Sequence, residues 1–340
     1  MTADAPRCFV IAEAGVNHNG SLDLAHRLID AAVAAGADAV KFQTFKTERL
    51  VTRDAPKAAY QKAASGTAES QFEMLKRLEL SADDHRELRD YCRAKGIEFL
   101  STPFDEESAD LLDQLGLPRF KISSGEVTNL PFLRHIARKG KPIILSTGMC
   151  ELAEVETALA AIRAERDVPV TLLHCTTSYP TPPADTNLRA MDTLRDAFHV
   201  PVGFSDHTLG IDIALAAVAR GACLLEKHLT IDRTLPGPDQ RASIEPAELA
   251  ALVAGIRHIE LALGDGVKRA TASEQETLRI ARKSIVAARD IPAGHLLTDD
   301  DLTIMRPGTG LPPSELPNVL GRRTRAAIPS GTLLSADSLE

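Results

Sequence analysis

The sequence predicts an α/β protein: an eight-stranded (β/α)₈ TIM barrel followed by a small, β-rich C-terminal domain. Three observations lead there. Eight short β-branched or apolar runs recur along residues 1–230, each too short for a helix. Between them lie helix-period segments bounded by Gly, Pro or capping residues, and this alternation implies a parallel sheet. Residues 284–340 break the alternation and carry an internal repeat instead.

In chain order the strand runs are CFVIAEA, AVKFQTF, EFLSTPF, RFKISSG, PIILSTG, VTLLHCT, PVGFSDH and CLLEKHL. Helix-period segments cover 22–35, 82–95, 106–115, 130–139, 151–163 and 211–219, and 245–263 supplies the last helix. Eight such units in about 260 residues fit a closed barrel in size and count. An open doubly wound sheet is the alternative. Against it, no GxGxxG follows the first strand and no GxxxxGK[ST] occurs. Residues 46–80, with an amphipathic stretch at 69–78, are too long for a simple βα loop and are expected to form a lid. Residues 1–264 are therefore expected to form the catalytic barrel, 265–283 a polar linker and 284–340 the second domain. In that tail IPAGHLLTDDDL (291–302) and IPSGTLLSADSL (328–339) agree at seven of twelve positions, which predicts a small pseudo-symmetric β module.

Composition excludes several classes. Hydrophobic residues make up 44% and charged residues 25%, the balance of a globular protein with a substantial core. The net charge is −8, and neither 1–282 (33 basic, 40 acidic) nor 283–340 (6 basic, 7 acidic) is basic, so nucleic acid is not an expected partner. The five cysteines, Cys8, Cys92, Cys150, Cys175 and Cys223, show no paired spacing, which points away from a disulfide framework and towards a reducing compartment. No signal peptide precedes the first strand and no apolar run reaches membrane-spanning length, so a soluble cytoplasmic protein is expected.

Barrel strands normally fill the interior with Val, Ile and Leu, yet here several end in polar residues spaced two apart, which puts both on one face. Lys41 and Gln43 form one such pair, Ser205 and His207 another, Glu226 and His228 a third. Glu13, Thr102, Lys121, Ser123, Ser124, Ser146, Thr147 and Tyr179 stand at equivalent levels on other strands. One buried Ser or Thr is usually a satisfied strand cap. Several lysines, carboxylates and histidines converging at one mouth cost several kcal/mol per unpaired charge, so together they mark an active site. His207 and His228 end neighbouring strands and can converge on one metal ion with positions left open for substrate, or serve as oriented acid and base. Lys41, Lys121 and the hydroxyls of Ser124, Ser146 and Ser205 suit a phosphate and a carboxylate.

Taken in order, IAEAGVNHNGS, VKFQTFK, STPFD, KISSGE, LSTGM, HCTTSYP, GFSDHT and EKHLT, with RPGTG in the tail, resemble the sialic acid synthase family over nearly the whole chain. The tail is similar to that family's antifreeze-like, or SAF, domain. The resemblance implies condensation of phosphoenolpyruvate with an N-acetylmannosamine-type aldehyde, assisted by a divalent metal, Mn²⁺ first and Mg²⁺ or Co²⁺ as substitutes. It implies His207 and His228 as metal ligands, and Lys41, Thr102, Lys121, Ser124, Ser146 and Ser205 as holders of phosphoenolpyruvate. Glu13, Gln43, Tyr179, Glu226 and Asp239 would line the sugar and water side, with Glu13 carrying a proton. It further implies a domain-swapped homodimer in which Arg306 reaches the N-acyl group of the sugar from the partner subunit. One departure stands out: Thr177 occupies the position where sialate-specific members commonly carry Asn. The stretch after the second strand resembles members that act on sialic or legionaminic acid more than those making pseudaminic acid. A phosphorylated or pseudaminate-type acceptor, and a non-catalytic sugar-binding SAF protein, are the alternatives. A phosphorylated acceptor would need further Arg or Lys at the mouth, and the sugar-binding protein has no use for the lysines, Glu13 and the histidines.

Overall fold

The computed structural model describes residues 7–57, 62 and 69–340. The chain divides into two compact units, Met1–Asp265 and Gly266–Glu340. The first holds eight parallel strands: β1 (Phe9–Gly15), β2 (Ala39–Thr44), β3 (Glu98–Pro103), β4 (Phe120–Ile122), β5 (Ile143–Ser146), β6 (Val170–His174), β7 (Val202–Asp206) and β8 (Leu224–His228). They run in the order β3-β2-β1-β8-β7-β6-β5-β4, and β3 lies beside β4, closing the sheet on itself. This is the expected barrel.

Period-two alternation sorts each strand into two faces. Val10, Ala12, Val40, Phe42, Phe99, Phe120, Ile122, Leu145, Leu172, Phe204 and Leu225 join the large core shared with the surrounding helices. The alternate residues point inward. Ile11, Ala39, Leu100, Ile144, Leu173 and Leu224 pack into a separate apolar plug, and two residues further along each strand comes a polar residue: Glu13, Lys41, Thr102, Ser146, Cys175 and Glu226. The plug floors the barrel, so the polar layer above it forms the base of a cup. Gly203 permits this closure, since a Cβ there would lie 2.4 Å from Leu224 O and 2.7 Å from a Leu173 methyl.

The expected helices are present, with bounds shifted by a residue or two. Helix Leu22–Ala34 starts at Ser21, whose hydroxyl accepts from Leu24 N, and Ala82–Lys95 runs from a Ser81–Asp84 capping box to Gly96 in the left-handed region. A helix at Ala190–Phe198 fills the β6–β7 crossover, which is not among the helix-period segments above. Between β2 and Ala82 the structure shows Thr47–Leu50 and Gln71–Leu78 as helices; part of the expected lid, 58–61 and 63–68, lies outside the described residues.

In the second unit β9 (Ser284–Ala287) pairs antiparallel with β10 (Leu302–Met305). The sequence repeat becomes a local pseudo-twofold: Ile291 and Ile328, equivalent in the two copies, exchange both backbone hydrogen bonds at 2.8 Å. Their counterparts Leu297 and Leu334 are buried in the same small core. The segment expected to be a linker differs from that expectation. It carries a helix, Gln275–Ala281, preceded by a 3-10 turn at Ala272–Glu274 that a Thr271–Glu274 capping box starts, and Arg279 O accepts from Gly308 N at 2.8 Å, so it folds with the tail.

Candidate active site

A cavity of about 290 Å³ opens at the carboxyl ends of the barrel strands. Of the residues singled out from the sequence, Glu13, Lys41, Gln43, Thr102, Lys121, Ser123, Ser124, Ser146, Thr177, Tyr179, Ser205, His207, Glu226, His228 and Asp239 line it, while Thr147 is turned away, its hydroxyl donating to Leu173 O at 3.0 Å. Arg306 does not line it either. It lies exposed in the second unit, its Nε donating to Ala281 O at 3.1 Å.

The floor is a chain of buried charges. Lys41 Nζ sits 2.7 Å from Glu13 and 3.7 Å from Glu226, and Lys121 Nζ sits 3.5 Å from Glu226. Lys41 also donates to Thr102 Oγ1 at 3.0 Å, and the Ser205 hydroxyl donates to Glu226 at 2.9 Å. Burial would raise the Glu226 carboxyl, but Lys121 and Lys41 overcome it and hold it well below the usual carboxylate range. Glu13 goes the other way: burial, helped by Glu226 and only partly opposed by Lys41, pushes its carboxyl up to about 7. Two carboxylates thus share two lysines unequally, one kept ionised and one poised near neutrality. Burial lowers the Lys121 ammonium, against the pull of Glu226.

Above the floor the histidine rings lie with centroids 5.4 Å apart. His207 Nδ1 bonds Thr176 O at 2.8 Å, which leaves its Nε2 lone pair on the side of Ser205. Burial depresses both imidazoles, His228 strongly, so both are neutral at pH 7, the form a metal requires. His228 Nδ1 is buried without a hydrogen-bond partner. Neutral rings and an orphaned nitrogen fit a cation. Among the described residues no group of three His, Cys, Asp or Glu is disposed to hold an ion, so other coordination positions would fall to substrate and water.

The opposite wall carries hydroxyls. Ser146 Oγ is buried and unpartnered, while Ser124 Oγ accepts from Gly148 N at 2.9 Å. Gly148 must lack a side chain, because a Cβ would meet Thr177 Oγ1 at 2.3 Å and Ser124 Oγ at 3.1 Å.

A family comparison matches residues 28–268 to the NeuB family. The chain belongs to the NeuB family. Its C-terminal part matches the SAF domain over residues 282–340. The chain is 49% identical to the N,N'-diacetyllegionaminic acid synthase of Legionella pneumophila over 98% of its own length and 95% of that protein's. It is 50% identical to the corresponding Campylobacter jejuni synthase, covering 93% of this chain and 95% of that one. Among solved structures, the N-acetylneuraminic acid (sialic acid) synthetase of Leptospira borgpetersenii in complex with citrate superposes with a TM-score of 0.71 at 39% identity. That match covers 80% of this chain and 90% of the other.

Several lining residues of this NeuB-family cavity escaped the sequence reading. Cys175, whose Sγ is 3.3 Å from Ser124 Oγ, lies two positions beyond Leu173 of the plug, and the same period-two count would have found it. Val16, Leu50, Val51, Gln71, Met74, Leu75 and Phe104 also line it. They come mainly from loops and from helix Gln71–Leu78, and an apolar residue in a loop looks like ordinary core packing in sequence.

Asp239 offers a direct check on the cavity. Burial raises its carboxyl from 3.8 to about 6. A raised folded-state value means the neutral form is favoured, so native stability falls as pH rises from about 4 to 6. Asp239→Asn is expected to leave stability nearly unchanged at pH 4 and to add up to ~3 kcal/mol above pH 7. Urea unfolding of both proteins across that range measures it; a pH-independent difference would show that Asp239 is solvated.

Proposed function

We propose that this chain is a nonulosonic acid synthase, condensing phosphoenolpyruvate with an open-chain N-acetylated mannosamine-type aldehyde to give a 2-keto acid and inorganic phosphate. The observation that carries it is a cavity holding two buried lysines beside two orphaned groups, Ser146 Oγ and His228 Nδ1, the first suited to an anion and the second to a cation. Lys41 and Lys121 neutralise the phosphate and carboxylate, with Thr102, Ser124, Ser146 and Ser205 donating to their oxygens. Held there, the enol carbon of phosphoenolpyruvate faces the aldehyde of the second substrate, so a bimolecular encounter becomes a positioned reaction. His207 and His228 would hold a divalent cation, Mn²⁺ in our reading, which would supply Lewis-acid chemistry at the aldehyde oxygen.

The new carbon–carbon bond leaves C2 electron-poor, and water adds to it. Glu13, near neutrality in its burial, accepts that water's proton, and the hemiketal then collapses with cleavage of the C2–O bond, releasing phosphate. The sugar side comprises Gln43, Thr177, Tyr179, Glu226 and Asp239. Beside them Val16, Leu50, Val51, Met74, Leu75 and Phe104 form an apolar wall that, among the described residues lining it, carries no cation. Such a wall suits a 6-deoxy, diacetamido acceptor and offers nothing to a 6-phosphate. The legionaminate product is therefore favoured over the neuraminate one, in line with the two legionaminic acid synthases above. Five unpaired cysteines and no described helix long and apolar enough to cross a membrane support a cytoplasmic setting.

Phosphate release tests the reading. The protein is supplied with phosphoenolpyruvate, Mn²⁺ and, separately, N-acetylmannosamine, its 6-phosphate or the 2,4-diacetamido-6-deoxy mannose analogue. Fastest release is expected with the last, with loss on chelation and recovery on adding Mn²⁺. No release with any acceptor overturns it. We assign recognition of the N-acyl group to Arg306 of a second copy of this chain. Arg306→Ala is expected to raise the acceptor KM at least tenfold with little change for phosphoenolpyruvate, losing one charge-assisted contact. Mixing it with inactive Glu13→Gln under subunit exchange should restore part of the activity; no restoration would place Arg306 in cis or outside the site.

A further inference from the structure

The ladder between β7 and β8 ends on the rung Asp206↔Lys227, one residue short of His207 and His228. The two histidines thus project from strand ends that no shared rung joins. Immediately behind them, on the outward faces, a buried ion pair crosses from strand to strand. Lys227 Nζ donates to Asp206 Oδ2 at 2.7 Å and to Thr208 O at 2.6 Å. Both side chains of the pair are 0% exposed. Asp206 Oδ1 in turn accepts from Thr208 N at 2.9 Å and from Thr208 Oγ1 at 2.8 Å. One ammonium therefore grips the residues on both sides of His207, and it belongs to the residue that directly precedes His228.

Stability does not explain the pair. A buried ion pair sacrifices so much hydration that well-packed apolar residues in its place are often neutral or stabilising. What an apolar pair could not do is tie residues 206 and 208 to residue 227 at fixed distances. We infer that Asp206 and Lys227 are positioning residues: their brace sets the separation of the two imidazoles, and through it the affinity of the site for a divalent cation. The inference rests on the reading of His207 and His228 as metal ligands. It extends that reading to two side chains outside the cavity and predicts their effect on binding in the absence of substrate.

The test uses Mn²⁺ alone, titrated into the full-length protein and followed by the EPR signal of the free ion. Four proteins are compared: the unaltered chain, His207→Ala, the double variant Asp206→Leu/Lys227→Met, and Thr208→Val. The double variant is expected to keep its thermal unfolding midpoint within a few degrees while its Mn²⁺ affinity falls roughly tenfold to a hundredfold, as when groups that orient metal ligands are removed. Thr208→Val keeps the ion pair but removes one donor to Asp206, and a several-fold loss is expected. If the unaltered chain binds no Mn²⁺, the metal reading itself fails. If binding is present, is lost in His207→Ala and survives within twofold in the folded double variant, the metal reading stands and the brace is overturned. Should the double variant not fold, Thr208→Val decides: unchanged Mn²⁺ affinity there overturns the brace.

Discussion

His207→Ala and His228→Ala are each expected to abolish tight Mn²⁺ binding and to slow turnover roughly 10³-fold or more, because Lewis-acid stabilisation of a developing alkoxide is worth several kcal/mol. The expectation rests on the protonation state the fold imposes. Burial keeps both imidazoles neutral, and the bond from His207 Nδ1 to Thr176 O leaves the opposite nitrogen to face the cavity. With one ring removed the remaining histidine cannot retain a cation alone. If the rings instead acted as acid and base, either variant would leave Mn²⁺ affinity intact while lowering kcat. EPR titration beside steady-state phosphate release separates the two outcomes.

Glu13→Gln is expected to reduce kcat about 10²–10⁴-fold, the range associated with removing a positioned proton carrier. Its pH profile should change as well. The Glu13 carboxyl, pushed up to about 7 mainly by burial, gains its basic form as pH rises through neutrality. In the unaltered enzyme kcat/KM should therefore climb between about pH 6 and 8, and in Glu13→Gln that limb should vanish. Gln keeps the size of the side chain and can still accept from Lys41 Nζ, so phosphoenolpyruvate binding should hold. A Gln variant with unchanged turnover would remove Glu13 from the proton's path.

Much of this site can be read along single strands. Lys41 with Gln43, Ser205 with His207 and Glu226 with His228 announce themselves because a β-strand alternates faces every residue, and period two is visible in one dimension. Cys175 obeys the same count. The apolar wall does not, since Leu50, Val51, Met74 and Leu75 reach the cavity from a long connection whose path no periodicity describes. The β6–β7 helix at Ala190–Phe198 was likewise weakly marked, as it lacks a side-chain N-cap bond.

The barrel, the repeat-built C-terminal module and the identities of the polar strand ends are legible in residue order alone, because strand alternation and a duplicated segment are local patterns. Tertiary structure alone decided how those residues divide their charges. Glu13 and Glu226 are both glutamates two residues beyond the plug. Burial raises both carboxyls, but Glu226 lies near both Lys121 and Lys41 and accepts from Ser205, which keeps it ionised, while Glu13 has chiefly Lys41 to set against burial and the Glu226 charge and is pushed up to about 7. Electrostatic coupling here depends on distances of 2.7 to 3.7 Å between side chains of different strands, and only closure of the sheet sets those distances.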